Sequence, residues 1–208
     1  VNATSNTFIM NSYSQYFEVF INSPMETTKY ELLKQGIEEA SIRDLETNIQ
    51  RGFPNTKARQ HAVGPIQVPI VKLTPYAPSG KLFAESQANN QGRKYNPEIM
   101  FDQVQFEPEE TATNITFTGS DNNEYNISQP IPLAGINVQV RCNCLDFHYR
   151  FSRLNAKNNA LYGQPAPPYK RKPDSNRPPA NPAQVPGMCK HLLALKEELQ
   201  KMGIVAKG

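Results

Sequence analysis

Three cysteines in 208 residues, placed as Cys142-Asn143-Cys144 and Cys189-Lys190-His191, constrain this chain more than any other feature. In an extended strand, side chains i and i+2 point to the same side, and INVQVRCNC, residues 136–144, alternates like a strand. Cys142 and Cys144 therefore present two thiols to one point. Cys189 and His191 share that spacing, which in mid-helix would separate them by about 200°. Pro186-Gly187 precede them, however, so Cys189 falls in the turn entering a helix and His191 in its first turn. Both can then face one point. Cys142, Cys144, Cys189 and His191 together make a tetrahedral Cys3His set that suits Zn2+. A helix N-terminus also helps to keep a thiolate ionised.

Spacing alone leaves alternatives open. The three cysteines can be free and buried beside an ordinary histidine, and His148, close after Cys144, is a rival ligand. A disulfide between Cys142 and Cys144 is geometrically poor along one strand, and an odd count argues against a full intramolecular set. A reducing compartment is the expectation.

The rest of the chain reads as α+β. YFEVFI, 16–21, alternates like a strand. Thr28 with Glu31 and Ser41 with Asp44 have capping-box spacing, followed by Tyr30, Leu33 and Ile37 and by Ile42, Leu45 and Ile49. One bent helix or two consecutive ones are expected over 28–51, with Gly52 as the stop. Residues 53–97 hold six prolines; IQVPIVKL suits an edge strand, because Pro69 would interrupt a central one, and KLFAES suits another. EIMFDQVQF, 98–106, reads as a strand, and NITFTG and EYNIS flank the turn residues SDNN as a hairpin. Eight prolines within residues 155–187 exclude helix and central strand and predict a long extended loop. Leu192, Leu195, Leu199 and Met202 then form a helical stripe over 188–202, closed by Gly203. The expected architecture is an antiparallel β-rich domain with a C-terminal ββα zinc-finger-like unit, an N-terminal helical segment and extended Pro-rich arms. The expected division is 1–97 (strand, helix and arm) and 98–208 (hairpin and metal-binding domain, with the insertion 155–187).

Cys-x-Cys followed by Cys-x-His, on a hairpin and then a helix, resembles the SWIM-type zinc finger. The resemblance covers roughly residues 112–205 and departs from the family in the forty-four residues, 145–188, between the ligand pairs. Loop closure grows only logarithmically with length, so this insertion is tolerable. The longer run through LYG and PPYKRKP to Pro186-Gly-Met-Cys-Lys-His191 is similar to SWIM-bearing proteins of tailed phages and other large DNA viruses. The resemblance implies binding of DNA or protein.

A closed four-ligand set is the structural pattern, not the catalytic one. No P-loop, HExxH or GxSxG accompanies it, so no enzyme activity and no small-molecule substrate are expected. No apolar run is long enough to span a membrane. VNATSNTFIMNSYS has neither basic n-region nor apolar h-region, so no signal peptide is expected. The three Asn-x-Ser/Thr sequons are read as chance in an Asn-rich chain. A formal net charge of +3 points to no particular partner. FHYRFSRL interleaves aromatics with Arg150 and Arg153, and YKRKPDSNR adds Lys170, Arg171 and Lys172, a pattern that can stack on and neutralise nucleic acid. The bland alternative packs Phe147, Phe151 and Leu154 under the metal site and leaves the cations solvated. The expectation is a non-enzymatic, zinc-stabilised structural subunit, a virion component in contact with other protein subunits, found in the virion or host cytoplasm. The alternative is a zinc-dependent nucleic-acid-binding accessory protein.

Overall fold

The computed structural model describes residues 40–53, 66–165, 167 and 179–208. The expected strand 16–21 and the first part of the expected helix, 28–39, lie outside these residues. The second part is α1, Ile42–Gly52, opened by Ser41. The Asp44 amide donates to Ser41 Oγ at 3.3 Å, and the Ser41 amide donates to Asp44 Oδ2 at 2.9 Å. This capping box satisfies two of the helix's orphan donors. Ile42, Leu45 and Ile49 face inward.

The central sheet is antiparallel with four strands. β2 (Val71–Tyr76), β3 (Lys81–Ser86), β6 (Pro97–Phe101) and β10 (Val138–Cys142) lie in the order β10-β6-β3-β2. It draws strands from both sides of residue 97. β2 is at the edge, where Pro75 deprives the ladder of no essential donor, and Pro69 falls between β1 (Ile66–Gln67) and β2. β1 pairs with β4 (Ala88–Asn90), and β4 with β5 (Arg93–Tyr95). The expected hairpin forms from β8 (Ile115–Thr118) and β9 (Glu124–Ile127), joined on its other side by β7 (Phe106–Glu107).

The strand expected over 98–106 breaks. β6 ends at Phe101, and Gln103 has φ +59°, a left-handed conformation that ends pairing. Asp102 is held there by Lys81 at 3.1 Å and by the Asn137 amide at 3.0 Å. The chain then turns to give β7 to another sheet. Alternation cannot register such a turn, because it tracks only polarity.

After β10 come two short helices, α2 (Leu145–Arg150) and α3 (Ser152–Lys157), and finally α4 (Lys190–Lys201). The expected loop from 155 therefore begins inside a helix. It also touches the sheet, since the Val140 amide donates to Ala160 O at 2.9 Å. α4 packs on the inner face of the central sheet. Leu192, Leu195 and Leu199 join Leu82, Ala84, Ile99, Phe101, Val138 and Val140 in one core, which α1 also enters. Met188 and Cys189 are buried but precede the helix, and Met202 is 43% exposed, so the expected stripe ends at Leu199. Among the described residues no helix is long and apolar enough to cross a membrane.

Candidate metal centre

β10 runs antiparallel to β6, with Cys142 opposite Pro97. Val138, Val140 and Cys142 alternate inward, which carries the Cys142 side chain to the core face at the end of the strand. Asn143 turns the chain, accepting the Asn96 amide on its Oδ1 at 2.9 Å. Cys144 is then the N-cap of α2, extended at φ −75°, ψ 149°, and its Sγ accepts the Phe147 amide at 3.3 Å. A sulfur thus does the work usually given to a Ser or Asp oxygen at a helix start.

The second pair arrives differently. Cys189 is the N-cap of α4 at φ −82°, ψ 167°, and His191 stands in the first turn. The approach is fixed by a buried asparagine. Asn155 Nδ2 donates to Gly187 O at 3.0 Å, and its Oδ1 accepts the Gly187 amide at 2.9 Å. Gly187 also runs so close to its neighbours that a Cβ there would sit 2.8 Å from the Phe151 ring and 3.1 Å from Ile49. Asn181 secures the same returning stretch by donating to Arg150 O at 3.0 Å and Val185 O at 2.7 Å.

The four ligand atoms of Cys142, Cys144, Cys189 and His191 lie within 4.8 Å of one another, and all four residues are buried. His191 Nδ1 is 3.9 Å from both Cys142 Sγ and Cys189 Sγ. A tetrahedron with metal–sulfur bonds of about 2.3 Å and a metal–nitrogen bond of about 2.0 Å has edges of roughly 3.5–3.8 Å. The observed separations are that tetrahedron slightly expanded, so the donors fit one metal ion. The imidazole presents Nδ1 to the sulfurs and leaves Nε2 buried without a hydrogen-bond partner among the described residues. Tyr95 stacks on the ring, with centroids 4.0 Å apart and planes 23° apart.

Electrostatics points the same way. Hydrogen bonds from Cys142 and Cys189 pull the Cys144 thiol far below the ordinary range. The Cys142 thiol is pushed up, first because it shares its proton with Cys144. Cys189 is pushed up chiefly by burial, then by its two neighbours. Three sulfurs packed this closely oppose one another's ionisation, so three thiolates together require a cation. No disulfide links them.

His148 is not one of the four; it is exposed and meets Tyr149 edge-on at 4.7 Å. Arg150 lies in the interior, not on a nucleic-acid-facing surface. It is 8% exposed, pairs with Asp146 at 3.3 Å and lies over the Phe53 ring at 4.7 Å. Helical periodicity explains this: Phe147 and Arg150, three residues apart, share one face of α2, and that face is the buried one. Arg153 is exposed. Lys170, Arg171 and Lys172 lie outside the described residues. Sequence reasoning missed Tyr95, Asn155 and Asn181; a buried asparagine that clamps backbone gives no periodic signal.

Comparison with family models, with curated proteins and with solved structures returns no match.

Proposed function

We propose that this chain is a non-enzymatic structural subunit whose C-terminal half is clamped by a Zn2+ ion, and that it acts through contacts with other protein subunits of an assembly. The observation that carries this reading is the buried Cys3His set. Three thiolates and an imidazole suit zinc, and four protein donors leave no position for water or substrate, which is the pattern of a structural site. Donors within 4.8 Å of one another favour one ion over an iron–sulfur cluster, whose larger body holds its ligands further apart. The resemblance to SWIM-type zinc fingers, and to SWIM-bearing proteins of tailed phages, supports a virion component as the assembly. Thiols kept reduced fit the virion or the host cytoplasm.

The test has two stages. Metal analysis of the purified protein is expected to give one zinc per chain, and chelation is expected to lower its melting temperature. Fluorescence anisotropy of labelled duplex and single-stranded DNA, at low and physiological salt, then separates the classes. Weak, zinc-independent binding that vanishes with modest salt supports the structural subunit, and light scattering should show self-association or a requirement for partners. Tight, zinc-dependent binding that survives physiological salt overturns it in favour of a nucleic-acid-binding accessory protein. In that case neutralising Arg153, Lys170, Arg171 and Lys172 lowers the salt slope, whereas buried Arg150 affects folding.

A further inference from the structure

A recess of about 260 Å³ opens between the end of β10 and α2, lined by Arg141, Asn143, Leu145, His148 and Tyr149 among others. It is smaller than the roughly 300–1,000 Å³ of sites that enclose a whole small molecule, so its size suits a few protruding side chains. Two strongly exposed apolar residues line it, Leu145 at 69% and Tyr149 at 51%. Its lining includes Arg141, which reaches Tyr162 O and Gln164 O, but no carboxylate. β5 reaches the same rim, because the Asn96 amide donates to Asn143 Oδ1 at 2.9 Å. It brings exposed Arg93 and Lys94, neither of which forms an ion pair among the described residues. Glu98, across from Arg141, is half-buried, and Asp146 is taken by Arg150. The rim is therefore apolar and cationic.

The same chain presents the complement. Glu107, Glu109 and Glu110 are exposed around an exposed Pro108, and none of them forms an ion pair among the described residues. This loop is held in shape: Asn114 Nδ2 donates to Glu109 O at 2.9 Å, and Thr111 Oγ1 donates to Asn114 Oδ1 at 2.7 Å. Loop and recess lie at opposite ends of the central sheet. In the β6–β10 ladder Phe101 faces Val138 and Pro97 faces Cys142; the acidic loop follows the turn after Phe101, and the recess follows Cys142. We propose that the acidic loop 107–110 of one copy of this chain docks on the recess of a second copy. The proposal rests on the structural-subunit reading above. The carboxylates supply the charge that the rim lacks, and Pro108 offers Leu145 and Tyr149 an apolar surface. Recess and loop are different surfaces, so the contact is head-to-tail and leaves each pair with one free recess and one free loop. Repeated, it builds a ring or a filament. Nucleic acid would engage the cations but leave Leu145 without a partner.

The experiment follows the full chain by sedimentation velocity over a range of concentrations, at low and at high salt. The wild type is expected to self-associate at low salt and to dissociate as salt screens the charges. Two variants then separate the surfaces. One carries Arg93→Gln, Lys94→Gln and Leu145→Ser; the other carries Glu107→Gln, Glu109→Gln and Glu110→Gln. Arg141 is left in place because it holds Tyr162 and Gln164. All the changed side chains are exposed, so metal content and melting temperature should match the wild type. Each variant alone should associate at least about tenfold more weakly. Their equimolar mixture should form a dimer with one of each and nothing larger, since each supplies the surface that the other lacks. A wild type that stays monomeric at low salt overturns the proposal and leaves the structural-subunit reading with other partners. A mixture that fails to dimerise, or either variant assembling like the wild type, overturns it too. Tight, zinc-dependent DNA binding that is lost in the recess variant overturns the subunit reading as well.

Discussion

The two ligand pairs have the same spacing and reach the same point, yet the protein builds them by opposite means. Cys142 and Cys144 are delivered by a ladder: β10 pairs with β6 along its whole length, and Asn143 ties the turn to Asn96. Cys189 and His191 come at the end of an irregular return, steered by Asn155 and Asn181 and by the close passage of Gly187 over Phe151. A ladder spreads its positional information over many hydrogen bonds. A clamp concentrates it in one or two side chains. The strand-end pair should therefore be insensitive to single changes around it, and the helix-start pair should be fragile.

The largest effect tests the centre itself. Cys144→Ser and His191→Ala should each release zinc and destabilise the C-terminal half by several kcal/mol, because metal binding there is folding free energy. Retention of one zinc per chain in both variants would falsify the assignment. Next, Asn155→Ala removes both partners of the Gly187 amide and carbonyl in a buried site, which should cost about 2–4 kcal/mol and weaken zinc affinity in a chelator competition. A fall in melting temperature with unchanged affinity would break the contrast between the two pairs. Gly187→Ala should lower thermal stability by about 1–3 kcal/mol through overpacking against Phe151. Tyr95→Ala should cost about 1 kcal/mol and speed zinc release, with Tyr95→Phe restoring the wild-type rate, because the stacked ring and not the hydroxyl confines His191.

The smallest effect sharpens the ladder side. Glu98 sits across from Arg141 on β10 and from Glu85 on β3. Burial raises its carboxyl above the ordinary range; Arg141 opposes this and Glu85 adds to it. A folded-state pKa above the unfolded one means that the folded protein holds this proton more tightly. Its stabilising contribution is complete at acid pH and is lost as pH rises through the raised value. Glu98→Gln should thus gain a few tenths of a kcal/mol at neutral pH, a half-buried effect discounted for solvent, and the gain should vanish below about pH 4. Zinc affinity should not change, although the site lies one residue beyond Arg141.

What could be read from the sequence follows the same division. The ligand residues, the Ser41 cap, the hairpin around SDNN and the stripe of α4 are all encoded within a few neighbours, by periodicity or by turn chemistry. β3 was legible as a strand, though it lies inside its sheet and not at an edge, and IQVPIVKL, read as one edge strand, divides around Pro69 into β1 and β2 of two different sheets. The break after Phe101 was not, since it depends on Lys81 and Asn137 holding Asp102, partners remote in sequence. Nor was the burial of Arg150, whose surroundings include Phe53, remote in sequence at the end of α1. Polarity alone assigns an arginine to solvent; only packing shows that Asp146 and an aromatic face replace the water.

The proline-rich excursion is secured at both necks by contacts that do not involve the metal. Where the chain leaves, Arg141 donates to Tyr162 O at 2.6 Å and to Gln164 O; where it returns, Asn181 and Asn155 take hold. Both anchors lie outside residues 168–178, so an epitope or fluorophore site grafted there should leave the zinc content and melting temperature of the protein unchanged.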